Sequence, residues 1–201
     1  MTDSKHKAWL FDLDGTLYSP TPVKLFMAGE LLLGGLGQLG SIRAFREEHE
    51  ALRSSAEVWS PSPYQEQISR TATKLNRDPD ELASTIKKWM QDRPRKWIRL
   101  FARKNIIREL RAYRQAGGKT ALVSDYPASG KLKALGIESD FDAVISNGEP
   151  GGPQRLKPYP DGYLAAAETL GFQPQECLVI GDREDADGLA AKSAGMDFRL
   201  V

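Results

Sequence analysis

The chain has 201 residues, of which 40 % are hydrophobic, and a formal net charge of +1. That suits one or two domains with a real core, and so balanced a charge supplies no field for nucleic acid. The single cysteine, Cys177, excludes an intramolecular disulfide framework and fits a reducing cytoplasm. The opening MTDSKHKAWL is too briefly apolar for a secretory leader.

The first apolar run, AWLFDLD (8–14), reads as a buried strand that ends on two carboxylates. No convincing strand follows until after Arg95, so an all-helical insert is expected there. Within it, LFMAGELLLGGLGQLG (25–40) is interrupted by Glu30 and Gln38. It falls short of the roughly 20 apolar residues of a membrane span, so no stable membrane insertion is expected. Its leucines are expected to form insert core, with an apolar substrate pocket or transient membrane contact as the alternatives. SIRAFREEHEALR (41–53) places Ile42, Phe45, His49 and Leu52 on one helical stripe. SPYQ (62–65) and DPDE (78–81) are capping patterns with proline at the first helical position. The second opens a helix with Leu82, Ile86, Trp89 and Met90 on one side. Segment 87–104 holds eight basic residues against one acid, Asp92. It reads as a solvated face over Trp89, Trp97, Ile98 and Phe101, with anionic steering or docking on acidic lipid as the functional alternative.

Beyond the insert, helical and strand patterns alternate. IIRELRAYRQAGG (106–118) stops on paired glycines, and KTALVSD (119–125) reads as the second strand. DAVISN (142–147), ECLVIGD (176–182) and DFRLV (197–201) supply three more. The helices PYPDGYLAAAETLG (158–171) and DGLAAKSAG (187–195) separate them. Alternation of this kind implies an α/β fold with a doubly wound parallel sheet. Cys177 is expected in the core of the fourth strand. His6, near a free terminus, and His49, on an amphipathic helix, look incidental.

Ligands of open parallel sheets bind beyond the carboxyl ends of the strands. Those ends carry Asp12 and Asp14, Ser124 and Asp125, and Asp182 followed by Asp187, with Lys157 opening the helix between the third and fourth strands. Carboxylates gathered this closely need a cation. Oxygen ligands without a suitable thiol or imidazole point to Mg²⁺, which with a lysine suits a phosphate. A carboxylate can attack phosphorus to give an acyl phosphate. Residues i and i+2 of a strand share a face, so Asp12 and Asp14 can meet one substrate while Leu13 turns to the core. A calcium loop also begins D-x-D, but its twelfth position here is Val23 rather than glutamate.

DLDGT (12–16), LVSD (122–125), LKPYP (156–160) and GDREDAD (181–187) resemble, in order, the four motifs of the haloacid dehalogenase-like hydrolase superfamily. The resemblance implies a Rossmann-like core over residues 1–17 and 96–201, with a helical cap of the first type over 18–95. Hinges are expected near YSPTP (18–22) and around Pro94. It implies Asp12 as nucleophile and Asp14 as the acid that protonates the leaving oxygen and then activates water. Ser124 and Lys157 would hold phosphoryl oxygens. Asp12, Asp182, the backbone carbonyl of Asp14 and, in an assisting role, Asp187 would bind Mg²⁺. Asp125 either joins the phosphate-binding set or points away to cap a turn before Pro127. Glu149 or Arg155 is a further candidate for the pocket. The implied activity is hydrolysis of a small phosphorylated metabolite in the cytoplasm. A mutase, a phosphonatase with Lys74 or Lys87 as Schiff-base former, and a silent phospho-ligand-binding module are the alternatives.

Overall fold

The structure, a computed structural model, describes residues 6–201. Five parallel strands form one sheet in the order β3-β2-β1-β4-β5. They are β1 (Ala8–Phe11), β2 (Lys119–Ser124), β3 (Ala143–Ser146), β4 (Cys177–Gly181) and β5 (Asp197–Leu200). Strand alternation sorts the core into two layers. Trp9, Phe11, Leu122, Leu178 and Ile180 face one side. Ala8, Leu10, Ala121, Val123, Cys177 and Val179 face the other. The first face is covered by α6 (Lys104–Gln115) and α7 (Ser129–Leu135). The second is covered by α8 (Asp161–Leu170) and α9 (Leu189–Ala194). The small side chains of Ala166, Ala167, Ala190 and Ala191 let α8 and α9 lie close to that face. This is the doubly wound α/β architecture expected from the alternating pattern.

Between β1 and β2 the chain is helical: α1 (Pro20–Gly34), α2 (Leu39–Arg53), α3 (Pro63–Leu75), α4 (Pro79–Ile86) and α5 (Arg95–Leu100). The side chain of Ser62 caps α3 by accepting from Gln65 N at 3.3 Å. That of Asp78 caps α4 by accepting from Asp80 N and Glu81 N, both at 3.0 Å. Phe45, Ile68, Ala72, Leu82 and Ile86 form a core of the insert's own. Past Ile86 the helix widens into π-helical turns over Lys87–Asp92, with Trp89 buried. The chain leaves and re-enters the sheet unit side by side. Arg103 N donates to Leu17 O at 2.9 Å and Ser19 N to Phe101 O at 3.0 Å. The return crossing therefore falls at Phe101–Arg103, later than the hinge expected around Pro94. Pro94 is itself buried at the head of a helix.

The leucine-rich stretch departs from expectation more sharply. Val23, Met27 and Leu31 are buried, but Leu25 is 72 % and Leu33 91 % exposed, and Leu32, Leu36 and Leu39 also face solvent. The stretch is therefore not insert core, because only one narrow stripe of α1 meets the rest of the fold. Each such leucine forgoes about 1.5–3 kcal/mol of burial. Among the described residues no single helix is long and apolar enough to cross a membrane.

Both histidines have structural partners. His6 is buried and its Nε2 lies 2.8 Å from Asp197 Oδ2. His49 packs its ring on Tyr126 at 4.2 Å, and its Nδ1 is 3.3 Å from Gln67 Oε1. Burial lowers the His49 pKa below its ordinary value of 6.5. The unfolded chain then takes up the proton first, so stability falls as pH drops through 6.5 toward the lower folded value. Urea unfolding from neutral pH to about pH 5 should show this loss, and His49→Gln should flatten it.

Candidate active site

In the sheet register Phe11 lies beside both Leu122 and Ile180. Asp12, Ser124 and Asp182 therefore leave the sheet within two residues of one row. β1 is shorter than its sequence pattern, and the aspartates sit on the loop just past it. The alternation still holds, with Leu13 fully buried in the core. The loop turns at Gly15, whose φ is +112°, a region L side chains rarely adopt. A Cβ there would sit 1.9 Å from Asp182 Oδ2, so the glycine is what lets β4's carboxylate approach.

Lys157 is the cation of the site. It is 5 % exposed, and its Nζ donates to Asp12 Oδ1 at 2.5 Å and to Asp187 Oδ1 at 2.8 Å. Burial opposes its charge, yet Asp12 and Asp187 raise its pKa well above the ordinary lysine value. Carboxylate oxygens of Asp12, Asp182 and Asp187 come within 4.8 Å of one another. Burial pushes the Asp12 carboxyl up to about 8 despite Lys157, with Asp187 adding to the shift. Burial and the Asp187 charge raise Asp182 as well. Three carboxylates around one ammonium leave an excess of negative charge on hard oxygen donors. That donor set fits a magnesium ion.

Asp14 stands apart from this cluster. Both its oxygens accept from Lys131 Nζ at 2.6 Å, and Oδ1 also accepts from the Tyr18 hydroxyl. Burial works to raise its pKa, but Lys131 and Tyr18 outweigh burial and hold it below the usual carboxylate value. Its carboxylate is thus directed away from the metal-fitting group, and only its backbone carbonyl is left for that role. Ser124 ends β2 almost fully buried, its Oγ accepting from Tyr126 N at 3.2 Å.

The Asp125 carboxylate is engaged by backbone. Its Oδ1 accepts from Lys157 N at 3.2 Å, and its backbone carbonyl accepts from Asn147 Nδ2 at 3.2 Å. The carboxylate does not stand alone: it anchors the loop that delivers Lys157. Nor does it cap the turn before Pro127, where the Ser124 hydroxyl takes the Tyr126 N–H. Arg155 is paired with Asp161 at 2.9 Å. Glu149 accepts from Ser129 N at 3.0 Å and from the Ser146 hydroxyl. Lys74 is held by Glu47 and Glu48 on the insert surface, which raises its pKa. A Schiff-base former needs the opposite shift.

Four neighbours escaped the sequence reading of the site. Thr16 Oγ1 donates to Asp12 Oδ2 at 3.0 Å, and the Tyr163 hydroxyl donates to Asp187 Oδ1 at 2.8 Å. Tyr18 and Lys131 hold Asp14. Thr16 and Tyr18 each lie four residues after their aspartate, a spacing that was legible. Tyr163 lies inside a helix with nothing local to tie it to Asp187, and Lys131 had no local acid to mark it.

The insert is fastened over this edge. Arg53 Nε donates to the backbone carbonyl of Lys157 at 2.9 Å, and Tyr64 N donates to Asn147 Oδ1 at 3.0 Å. Between insert and sheet unit a cleft of about 440 Å³ is lined by Tyr64, Lys87, Gln91 and Glu149. A neighbouring cleft of about 300 Å³ reaches Lys131, and so the ammonium that holds Asp14.

The model of the haloacid dehalogenase-like hydrolases matches residues 6–195. The chain belongs to that family. It is 38 % identical over 103 residues to YhcW of Bacillus subtilis (strain 168), a match covering 50 % of this chain and 45 % of that one. The chain thus spans under half the length of that relative. It is 28 % identical over 198 residues to the glyceraldehyde 3-phosphate phosphatase of Methanopyrus kandleri, covering 94 % of this chain and 81 % of that one. The crystal structure of a HAD phosphatase from Thermococcus onnurineus superposes with a TM-score of 0.62 at 26 % identity, covering 97 % of this chain and 86 % of that one.

Gly15→Ala tests the packing of the loop against Asp182. It should cost about 1–2 kcal/mol from the unfavourable φ alone, lowering the thermal midpoint by a few degrees (about 2–4 °C per kcal/mol). Calorimetric titration should also show weakened Mg²⁺ binding, because the new methyl must displace the Asp182 carboxylate.

Proposed function

We propose that the chain hydrolyses a small phosphate monoester in a Mg²⁺-dependent reaction through an aspartyl-phosphate at Asp12. The observation that carries this reading is the buried Lys157 ammonium shared by Asp12 and Asp187, with the Asp182 carboxylate closing the group. Asp12, Asp182, Asp187 and the backbone carbonyl of Asp14 would hold the ion. When bound, Mg²⁺ supplies charge neutralisation for the carboxylates and the phosphoryl oxygens.

Asp12 forms a bond to phosphorus as the bond from phosphorus to the leaving oxygen breaks, and the protonated form of Asp14, regenerated at the end of each turnover by the proton taken from water, gives that oxygen its proton. Water then attacks phosphorus and gives a proton to Asp14, and Asp12 departs as a carboxylate. Lys131 and Tyr18 favour the ionised form of Asp14, the form that accepts the proton from water. Thr16 fixes the rotamer of Asp12, and Tyr163 that of Asp187. Ser124 and Lys157 orient the phosphoryl oxygens. The helical insert acts as a lid that excludes water, a role supported by the contacts of Arg53 and Tyr64 across the site. Charged and polar side chains on the cleft, Asp80, Ser84, Lys87, Gln91 and Glu149, support a small leaving group that carries hydroxyls, in keeping with the glyceraldehyde 3-phosphate named for the Methanopyrus relative.

Purified protein should hydrolyse an activated aryl phosphate with added Mg²⁺, and EDTA should abolish turnover. Asp12→Asn should reduce the rate by on the order of 10³-fold or more, as when a nucleophile is removed. Equal rates in EDTA would exclude the metal, and a wild-type rate no higher than that of Asp12→Asn would exclude catalysis.

A further inference from the structure

α1 is apolar around almost its whole circumference, yet only the stripe of Val23, Met27 and Leu31 is buried. Leu25, Phe26, Leu32 and Leu33 face outward, and Leu36 and Leu39 extend the same surface past the end of the helix. At Gly29, Gly34, Gly37 and Gly40 no protein atom lies where a side chain would meet one. A helix apolar on all sides is normally enclosed, and a contiguous exposed apolar face marks a place of docking.

Charge around the face selects the occupant. From Gly15 to Arg46 the sequence contains one carboxylate, Glu30. That carboxylate is already taken by Arg93 at 2.9 Å, Lys96 at 2.9 Å and the Trp97 ring N–H at 2.8 Å. These contacts draw α5 alongside α1, where Phe26 stacks on Trp97 at 4.1 Å and on Phe101 at 5.7 Å. α5 then turns Lys96, Arg99 and Leu100 to solvent beside the leucines, and Lys24 is exposed on α1 itself. No acid occurs between Arg93 and Arg108. The α1–α5 surface is therefore largely apolar with a border of net positive charge, on which Lys24 and Arg99 are exposed.

We propose that this surface docks on an anionic lipid bilayer, its leucines entering the boundary between headgroups and acyl chains while Lys24, Lys96 and Arg99 meet lipid phosphates. An apolar helix face bordered by lysine and arginine is the pattern of interfacial binding. The chain bends by 114° between Pro20–Gly34 and Leu36–Arg53, which suits lying along the interface and not crossing it. A second copy of the chain is the competing occupant, and the charges disfavour it. Two-fold pairing of this face would bring each basic border against its own counterpart. The inference stands apart from the phosphatase reading, since none of these side chains touches the carboxylate cluster.

Co-sedimentation of the full chain with vesicles of equal parts phosphatidylcholine and phosphatidylglycerol tests the proposal, with pure phosphatidylcholine vesicles as the comparison. The protein should pellet with the anionic vesicles, and high salt should release much of it. Leu32→Glu/Leu33→Glu and Lys24→Glu/Arg99→Glu should each weaken binding about tenfold or more. The circular dichroism spectrum and thermal midpoint should stay close to those of the unsubstituted chain in both variants, which shows that they fold. Failure to pellet with anionic vesicles, or pelleting indifferent to both pairs of substitutions, would overturn the proposal. A dimer seen by sedimentation equilibrium and broken by Leu32→Glu/Leu33→Glu would also overturn it and assign the face to a second copy.

Discussion

The bidentate placement of Lys157 between Asp12 and Asp187 organises the rest of the molecule. Removing a lone ammonium from water is costly, and a buried charge persists only with partners in good geometry. Here the partners come from the end of β1 and from the π-helical turn before α9, at opposite ends of the chain. Satisfying Lys157 therefore requires the parallel sheet to be assembled in its observed order. Asp125, just past β2, accepts from the backbone N–H of Lys157, and Arg53 of α2 donates to the same residue's carbonyl. Sheet, loop and helical insert thus meet on one side chain.

The same arrangement leaves the site electrostatically incomplete. One ammonium faces three carboxylates, and burial raises the proton affinity of Asp12 and Asp182. A divalent cation held by these carboxylates would relieve both effects and favour the anionic form of Asp12. Asp14 has the opposite surroundings, being held ionised by Lys131 and Tyr18. Two aspartates two positions apart in sequence are thereby driven to different proton affinities.

The buried strands were legible because each is a short run of apolar residues ending in polar ones, and the site was legible because function sits where such strands end. The insert's helices declared themselves through Ser62 and Asp78, whose side chains form the expected caps. What could not be read locally were interactions set by tertiary neighbours. Lys131 meets Asp14 from 117 residues away, and Asp125 spends a carboxylate oxygen on the backbone of Lys157, 32 residues on. The leucines of α1 were misjudged for a related reason. Periodicity reports that a helix is apolar, not which of its faces the fold will cover.

The central claim, that Asp12 carries the phosphoryl group, is tested most directly by trapping it. Protein mixed with Mg²⁺ and an aryl phosphate, quenched in acid during turnover and reduced with borohydride, should contain homoserine in place of Asp12 by peptide mass spectrometry. Reduction at another carboxylate, or an unmodified Asp12 peptide from enzyme quenched while turning over, would contradict the account.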